Sequence, residues 1–260
     1  MSVLRRGGAD LHYRLDGPHG APPVVFSNSL GCDWHMWDAQ VAALEDRFRL
    51  VRYDTRGHGR SGDAGEPVTL EELAGDVLAL MDHLGITRSH LCGLSLGGAT
   101  ALWLAAHHPE RLDRVVFANT AAKIGTPELW AERIEAVRRG GMSAVRDAAL
   151  GRFLSAPFRI RCPEVTRQIA AMIQATAPGA YIACCEALRD ADLRPVVASI
   201  GVRALIVASE LDVSTPPAQA EALHAAIRGS QLMVLPQTAH LSNVESADVF
   251  NTALLAFLVD

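Results

Sequence analysis

The stretch His90-Leu91-Cys92-Gly93-Leu94-Ser95-Leu96-Gly97-Gly98 runs from a short apolar segment, through a glycine-flanked serine, into a pattern that continues to about His108. His90 to Gly93 reads as a buried strand and Leu96 to His108 as a helix. A strand that enters a helix through Gly-x-Ser-x-Gly is the setting of a nucleophile elbow. On so tight a turn the serine takes a strained backbone conformation, and the glycines remove side chains that would collide with the neighbouring strand and helix. The helix begins at the serine, so its unpaired N–H groups and positive dipole end face an oxygen on which charge develops. The pattern alone is loose and arises by chance in glycine-rich turns; the strand before it and the helix after it give it weight.

Working outward, short apolar runs alternate with helical patterns. Leu11 to Gly17 alternates as an edge hairpin strand does, Pro23 to Ser27 reads as a buried strand, and Trp37 to Leu44 as a helix. Arg49 to Asp54 is the next strand, followed by an amphipathic helix over Thr69–Leu84 with apolar Leu73, Val77, Leu80 and Met81. Thr69 and Glu72 fit a capping box. Val115 to Ala118 is the fourth core strand. Alternation then stops: residues 121–193 carry only helical patterns, such as Leu129–Val137 and Val165–Ile173. It resumes with the strand Val202–Val207, a helix over Pro217–Ile227, the strand Gln231–Leu235 and a closing helix to Phe257. The expected fold is α/β, a mostly parallel central sheet flanked by helices. Residues 1–120 and 194–260 form its core, and 121–193 a helical cap inserted after the fourth core strand.

A serine nucleophile needs a base, and the base an orienting acid. His107 and His108 end a helix, and His83 and His224 lie within helical patterns. His240 instead follows the last strand on a loop, where α/β proteins gather ligands and catalysts. Asp212 lies just past the strand that ends at Val207, with Glu210 as a rival acid two residues away. The order Ser95, Asp212, His240 is the chain order this architecture uses for a triad. For the oxyanion, the backbone N–H of Leu96 pairs with that of Leu30, in the loop Ser27-Asn28-Ser29-Leu30-Gly31. The segment Asp54 to Ser61, despite its charges and His58, reads as a tight structural loop.

Bulk properties bound the rest. At 260 residues, 49% hydrophobic and 20% charged, the chain is an ordinary globular one. A net charge of -5 argues against a nucleic-acid partner. No signal peptide is read at the N-terminus, and apolar runs such as Ala99–Ala106 are too short for a bilayer. The odd set Cys32, Cys92, Cys162, Cys184 and Cys185 lacks zinc-ligand spacing and suits a reduced compartment, so a cytoplasmic address is expected. Oligomeric state is not legible.

With these residues in hand, the chain resembles α/β-hydrolases over its whole length. Within that superfamily it is most similar to the 3-oxoadipate enol-lactonase family of the β-ketoadipate pathway for aromatic degradation. The resemblance is carried by Asn28-Ser29-Leu30-Gly31, Tyr53 to Gly59, Asn119-Thr120-Ala121-Ala122-Lys123-Ile124-Gly125, Cys184 to Leu193, and Ala239-His240-Leu241-Ser242-Asn243. It implies cofactor-free and metal-free opening of a five-membered enol-lactone that bears an acetate arm. Such a substrate calls for a cationic or N–H-rich partner for its carboxylate in the cap; Arg133, one turn after Trp130, is a candidate beside an aromatic wall. The competing reading of Arg133 is an exposed helix arginine. Another small-ester carboxylesterase, a carbon–carbon bond hydrolase or a cofactor-free perhydrolase shares the triad and differs in the cap. A ligand-binding protein on a catalytically silent hydrolase scaffold is the alternative of another class.

Overall fold

The computed structural model describes residues 2–6, 8–62 and 67–259. Eight strands form one sheet: β1 (Ser2–Arg6), β2 (Ala9–Asp16), β3 (Pro23–Ser27), β4 (Arg49–Tyr53), β5 (Ser89–Leu94), β6 (Leu112–Ala118), β7 (Arg203–Ser209) and β8 (Gln231–Leu235). Their order is β1-β2-β4-β3-β5-β6-β7-β8. β1 pairs antiparallel with β2, β2 antiparallel with β4, and every later pairing is parallel. The strand expected at the edge is therefore the second; β1, half polar and exposed, takes the edge. The central strands β4 and β5 are buried along their whole length, as befits a sheet covered on both faces.

Helices α1 (Asp38–Leu44), α2 (Leu70–His83) and α3 (Leu96–His107) follow β3, β4 and β5. The capping box of α2 is present, Thr69 N–H donating to Glu72 at 2.7 Å and Glu72 N–H to the Thr69 hydroxyl at 3.2 Å. Between β6 and β7 come five helices, α4 (Pro127–Gly140), α5 (Ser143–Phe153), α6 (Ala156–Arg161), α7 (Pro163–Ala175) and α8 (Pro178–Asp190). The core resumes with α9 (Pro217–Ala226), and the chain closes with α10 (Ser242–Glu245) and α11 (Ala247–Val259).

The register positions the site. Ser27 lies opposite Gly93, Leu94 opposite Ala118, Ala118 opposite Val207, and Ser209 opposite Leu235. The carboxyl ends of β3, β5, β6, β7 and β8 thus finish side by side, and the loops after them share one edge of the sheet. Successive connections run in opposite directions from β3, to β4 on one side and β5 on the other, which opens a crevice at these strand ends.

Candidate active site

Ser95 sits between β5 and α3 with φ 58° and ψ −110°, a left-handed conformation that costs a non-glycine residue of order 1–3 kcal/mol. Its own backbone is fixed by two bonds: Ser95 N–H donates to Ala118 O at 3.0 Å, and the Thr120 hydroxyl donates to Ser95 O at 2.9 Å. The glycines are required by space. A Cβ on Gly93 would lie 2.1 Å from Gly97 O, one on Gly97 2.1 Å from Ser27 O, and one on Gly98 2.6 Å from Thr120 Cβ. Cys92 next door is buried within β5, and burial pushes its thiol up, away from the thiolate a nucleophile needs.

The loop after β3 is held against this elbow. Asn28 is fully buried; its amide donates to Tyr53 O at 2.8 Å and accepts from the Trp37 indole N–H at 2.9 Å. Its carbonyl accepts the Gly97 N–H at 2.9 Å. Asn28 therefore ties Leu30 to the first turn of α3, where Leu96 lies. Gly31, with φ 80°, supplies the left-handed residue that turns the loop away.

Asp212 and His240 meet across the loops after β7 and β8: the imidazole Nδ1 and Asp212 Oδ2 are 2.7 Å apart, and both residues are buried. Asp212 Oδ2 also accepts from the Thr215 hydroxyl at 2.8 Å and the Asn119 amide at 2.9 Å. Its Oδ1 accepts from Ser214 N–H at 2.8 Å and Thr215 N–H at 3.0 Å. Burial alone would raise its pKa; the neighbouring His240, Asn119 and Thr215 outweigh burial and bring it down to about 2. Glu210, the rival acid, is exposed and accepts from Gln237 instead.

Ser95, His240, Ser29 and Leu30 line one cleft of about 580 Å³, its open mouth included. Trp130 and Arg133 line it too, from α4. The Trp130 indole donates to Ile124 O at 2.7 Å, and the Arg133 guanidinium lies 4.6 Å from the Trp130 ring centre, so Arg133 is a cleft residue stacked on an aromatic wall. The lining residues that sequence reasoning missed include Arg152 and Phe153 at the end of α5, and Tyr181 of α8. Burial and the nearby Arg133 lower the Arg152 pKa. Among the described residues neither guanidinium is paired with a carboxylate.

The Asp54–Ser61 loop behaves as a structural one. Arg56 is bonded to Asp76 at 2.8 and 2.6 Å, and Asp54 accepts the Trp34 and Arg60 N–H groups, each at 2.9 Å. Among the described residues no helix is long and apolar enough to cross a membrane, and no cluster of His, Cys, Asp and Glu is placed to hold a metal ion.

A strand–elbow–helix serine, an acid–imidazole pair after the last two strands and a mostly parallel sheet define a class, and residues 22–247 match the model of the alpha/beta hydrolase fold family. The chain belongs to that family. It is 40% identical over 249 residues to 3-oxoadipate enol-lactonase 2 of Acinetobacter baylyi, covering 95% of this chain and 92% of the relative. The crystal structure of the enol-lactonase from Burkholderia xenovorans LB400 superposes with a TM-score of 0.97 at 46% identity, covering 100% of both chains. A malate-bound thermophilic esterase from Thermogutta terrifontis superposes with a TM-score of 0.90 at 28% identity, covering 96% of this chain and 93% of that one.

Proposed function

We propose that this chain hydrolyses 3-oxoadipate enol-lactone to 3-oxoadipate through an acyl-enzyme on Ser95. One observation carries the reading: a cleft that joins Ser95 and His240 also holds the two guanidiniums of Arg133 and Arg152. It is a site for an ester that carries a carboxylate, which is the chemistry named for the enol-lactonases this chain is similar to.

In this mechanism His240 takes the Ser95 hydroxyl proton while Oγ attacks the ring carbonyl. Asp212 holds the imidazole tautomer and stabilises its cation. The Leu30 and Leu96 N–H groups receive the oxyanion; losing one such donor costs on the order of 100-fold or more in rate. The ring C–O bond breaks, the leaving enol oxygen takes the proton from His240, and tautomerisation to the ketone makes the opening hard to reverse. Water then gives a proton to His240 and attacks the acyl carbon, and that proton returns to Ser95. Trp130 forms the wall and Arg133 holds the substrate carboxylate. Residues 121–193 serve as a cap over the core of 1–120 and 194–260, and the enzyme works in the cytoplasm without a nucleic-acid or membrane partner.

The test is the loss of the enol-lactone's ultraviolet absorbance on adding purified protein, with Ser95→Ala in parallel. Rapid loss with wild type and almost none with the variant supports substrate and nucleophile together. No loss with wild type, alongside Ser95-dependent cleavage of p-nitrophenyl acetate, removes the lactonase assignment and leaves a serine esterase.

A further inference from the structure

Asn119, the residue after β6, does not line the cleft, yet its side chain spans the two loops that carry the acid and the base. Its amide N–H₂ donates to Asp212 Oδ2 at 2.9 Å and to Ser209 Oγ at 3.0 Å, and its amide oxygen accepts from Ser242 Oγ at 2.6 Å. Asn119, Ser209, Asp212 and Ser242 are all buried, so water does not substitute for a lost partner. Ser209 ends β7, three residues before the acid, and Ser242 opens α10, two residues after the base.

The backbone also selects this residue. Asn119 has φ 44°, a conformation that glycine and asparagine tolerate best, and its N–H donates to Val207 O at 2.7 Å. Glycine would satisfy the backbone and leave Asp212 and Ser242 unbonded. Aspartate would satisfy the backbone and Ser242 but offer a second carboxylate where Asp212 needs a donor. Asparagine meets all three demands.

We infer that Asn119 is a positioning residue for the Asp212–His240 pair, fixing the carboxylate and keeping it from drawing the imidazole proton too strongly. The inference rests on the triad reading of Asp212 and His240. The physical reasoning is that Oδ2 receives His240, Thr215 and Asn119 together, so each donor withdraws part of its negative charge. Removing the Asn119 donor concentrates charge on the oxygen facing the imidazole, stabilises the imidazolium, and makes the base harder to deprotonate. Among the described residues, the charged or titratable groups that share the cleft lining with His240 are Arg133 of α4, Arg152 of α5 and Tyr181 of α8, and Glu245 of α10 accepts the neighbouring Ala239 N–H at 3.2 Å. All of these remain unchanged in Asn119 variants.

The test is the pH dependence of kcat/KM for p-nitrophenyl acetate with wild type, Ser95→Ala, Asn119→Gly, Asn119→Asp and Ser242→Ala, each checked for native circular dichroism and a cooperative melt. Asn119→Gly is expected to move the acid limb of the profile up by about half a pH unit, which lowers activity on that limb by up to about threefold. Asn119→Asp is expected to move it further, and Ser242→Ala, which frees the amide to swing, in the same direction by less. A fall in amplitude with the limb unmoved in all folded variants would mean Asn119 is mere packing and overturns the inference. Should Asn119→Gly fail to fold, the Ser242→Ala limb decides alone. Failure of the triad reading shows itself separately, as activity that survives in Ser95→Ala.

Discussion

The Phe153 ring, at the end of α5, stacks on the His240 imidazole with ring centres 5.6 Å apart and planes 25° from parallel. The same corner of the inserted helices also accepts backbone bonds from the base loop, Leu241 N–H to Phe153 O at 2.9 Å and His240 N–H to Arg152 O at 3.4 Å. Glu245 adds a third tie: it accepts Ala239 N–H at 3.2 Å and Ser155 N–H at 3.0 Å, and bonds the Ser155 hydroxyl. Helix α5 therefore holds the loop of His240 as well as lining the cleft. Truncation in Phe153→Ala should cost about 3 kcal/mol of stability and lower kcat for p-nitrophenyl acetate about tenfold or more as the imidazole drifts. Melting and steady-state kinetics on one preparation measure both; an unchanged kcat would reduce the ring to packing.

The elbow makes a steric prediction. A methyl group at Gly97 meets a backbone oxygen, Ser27 O, at 2.1 Å, and that carbonyl cannot rotate away as a flexible side chain would. Gly97→Ala should either fail to accumulate as folded protein or fold with activity reduced about 100-fold, because the loop bearing Leu30 is pushed from Ser95. Gly201, where an added Cβ meets nothing within 4 Å, is the control. Gly201→Ala should stay within about 0.5 kcal/mol of wild type with full activity. Equal behaviour of the two variants would remove the steric account of the motif.

Two buried carboxylates push stability in opposite directions with pH. Asp212, ordinarily at 3.8, is brought down to about 2, so its contribution is present above pH 3.8 and lost as pH falls through 2. Asp54 is raised from 3.8 to about 6, because burial outweighs the Arg60 and Trp34 N–H groups; its contribution is complete below pH 3.8 and lost as pH rises through 6. Asp54→Asn, neutral at every pH, should therefore compare best with wild type at pH 7 to 8 and lose that relative advantage between pH 6 and 4. Asp212→Asn should show its largest deficit above pH 4, with the gap closing on acidification. Melting temperatures of the three proteins from pH 2 to 8 give both differences, and a gap that does not vary with pH would contradict the corresponding assignment.

What could be read from sequence follows from which interactions are local. Ser95, Asp212 and His240 each come after a predicted strand, and a parallel sheet brings strand ends together whatever its side chains, so strand order in the chain was enough to single them out as candidates that would meet at one edge of the sheet. Their geometry was not legible: that Asp212 rather than Glu210 faces His240 depends on how a short loop folds back. β1 escaped notice because Ser-Val-Leu-Arg-Arg buries almost nothing and owes its existence to pairing with β2. Residues 121–193 announced helices but not their packing, so Trp130 and Arg133, which lie one turn apart on a single helix, could be paired. Arg152, Phe153 and Tyr181 reach the cleft only through tertiary contacts, and Asn119 stood in a quoted motif without its role being visible.

The cleft's two guanidiniums give the sharpest test of substrate. Arg133 and Arg152 repel one another and, among the described residues, have no carboxylate partner, an arrangement that an anionic ligand relieves. A charge-assisted hydrogen bond contributes about 1.5–3 kcal/mol, or roughly 10- to 150-fold in binding. Arg133→Met keeps the stem over Trp130 and removes the charge; it should lower kcat/KM for the carboxylate-bearing lactone by about that factor, mostly through KM. Hydrolysis of p-nitrophenyl acetate, which has no carboxylate, should change less than about threefold, since uniform binding of a missing group costs a neutral ester nothing. Arg152→Met should show the same selectivity. If both variants lose lactone and neutral ester equally, the arginines support the cleft's structure and leave substrate choice to other groups; if neither loses the lactone, the carboxylate is held elsewhere.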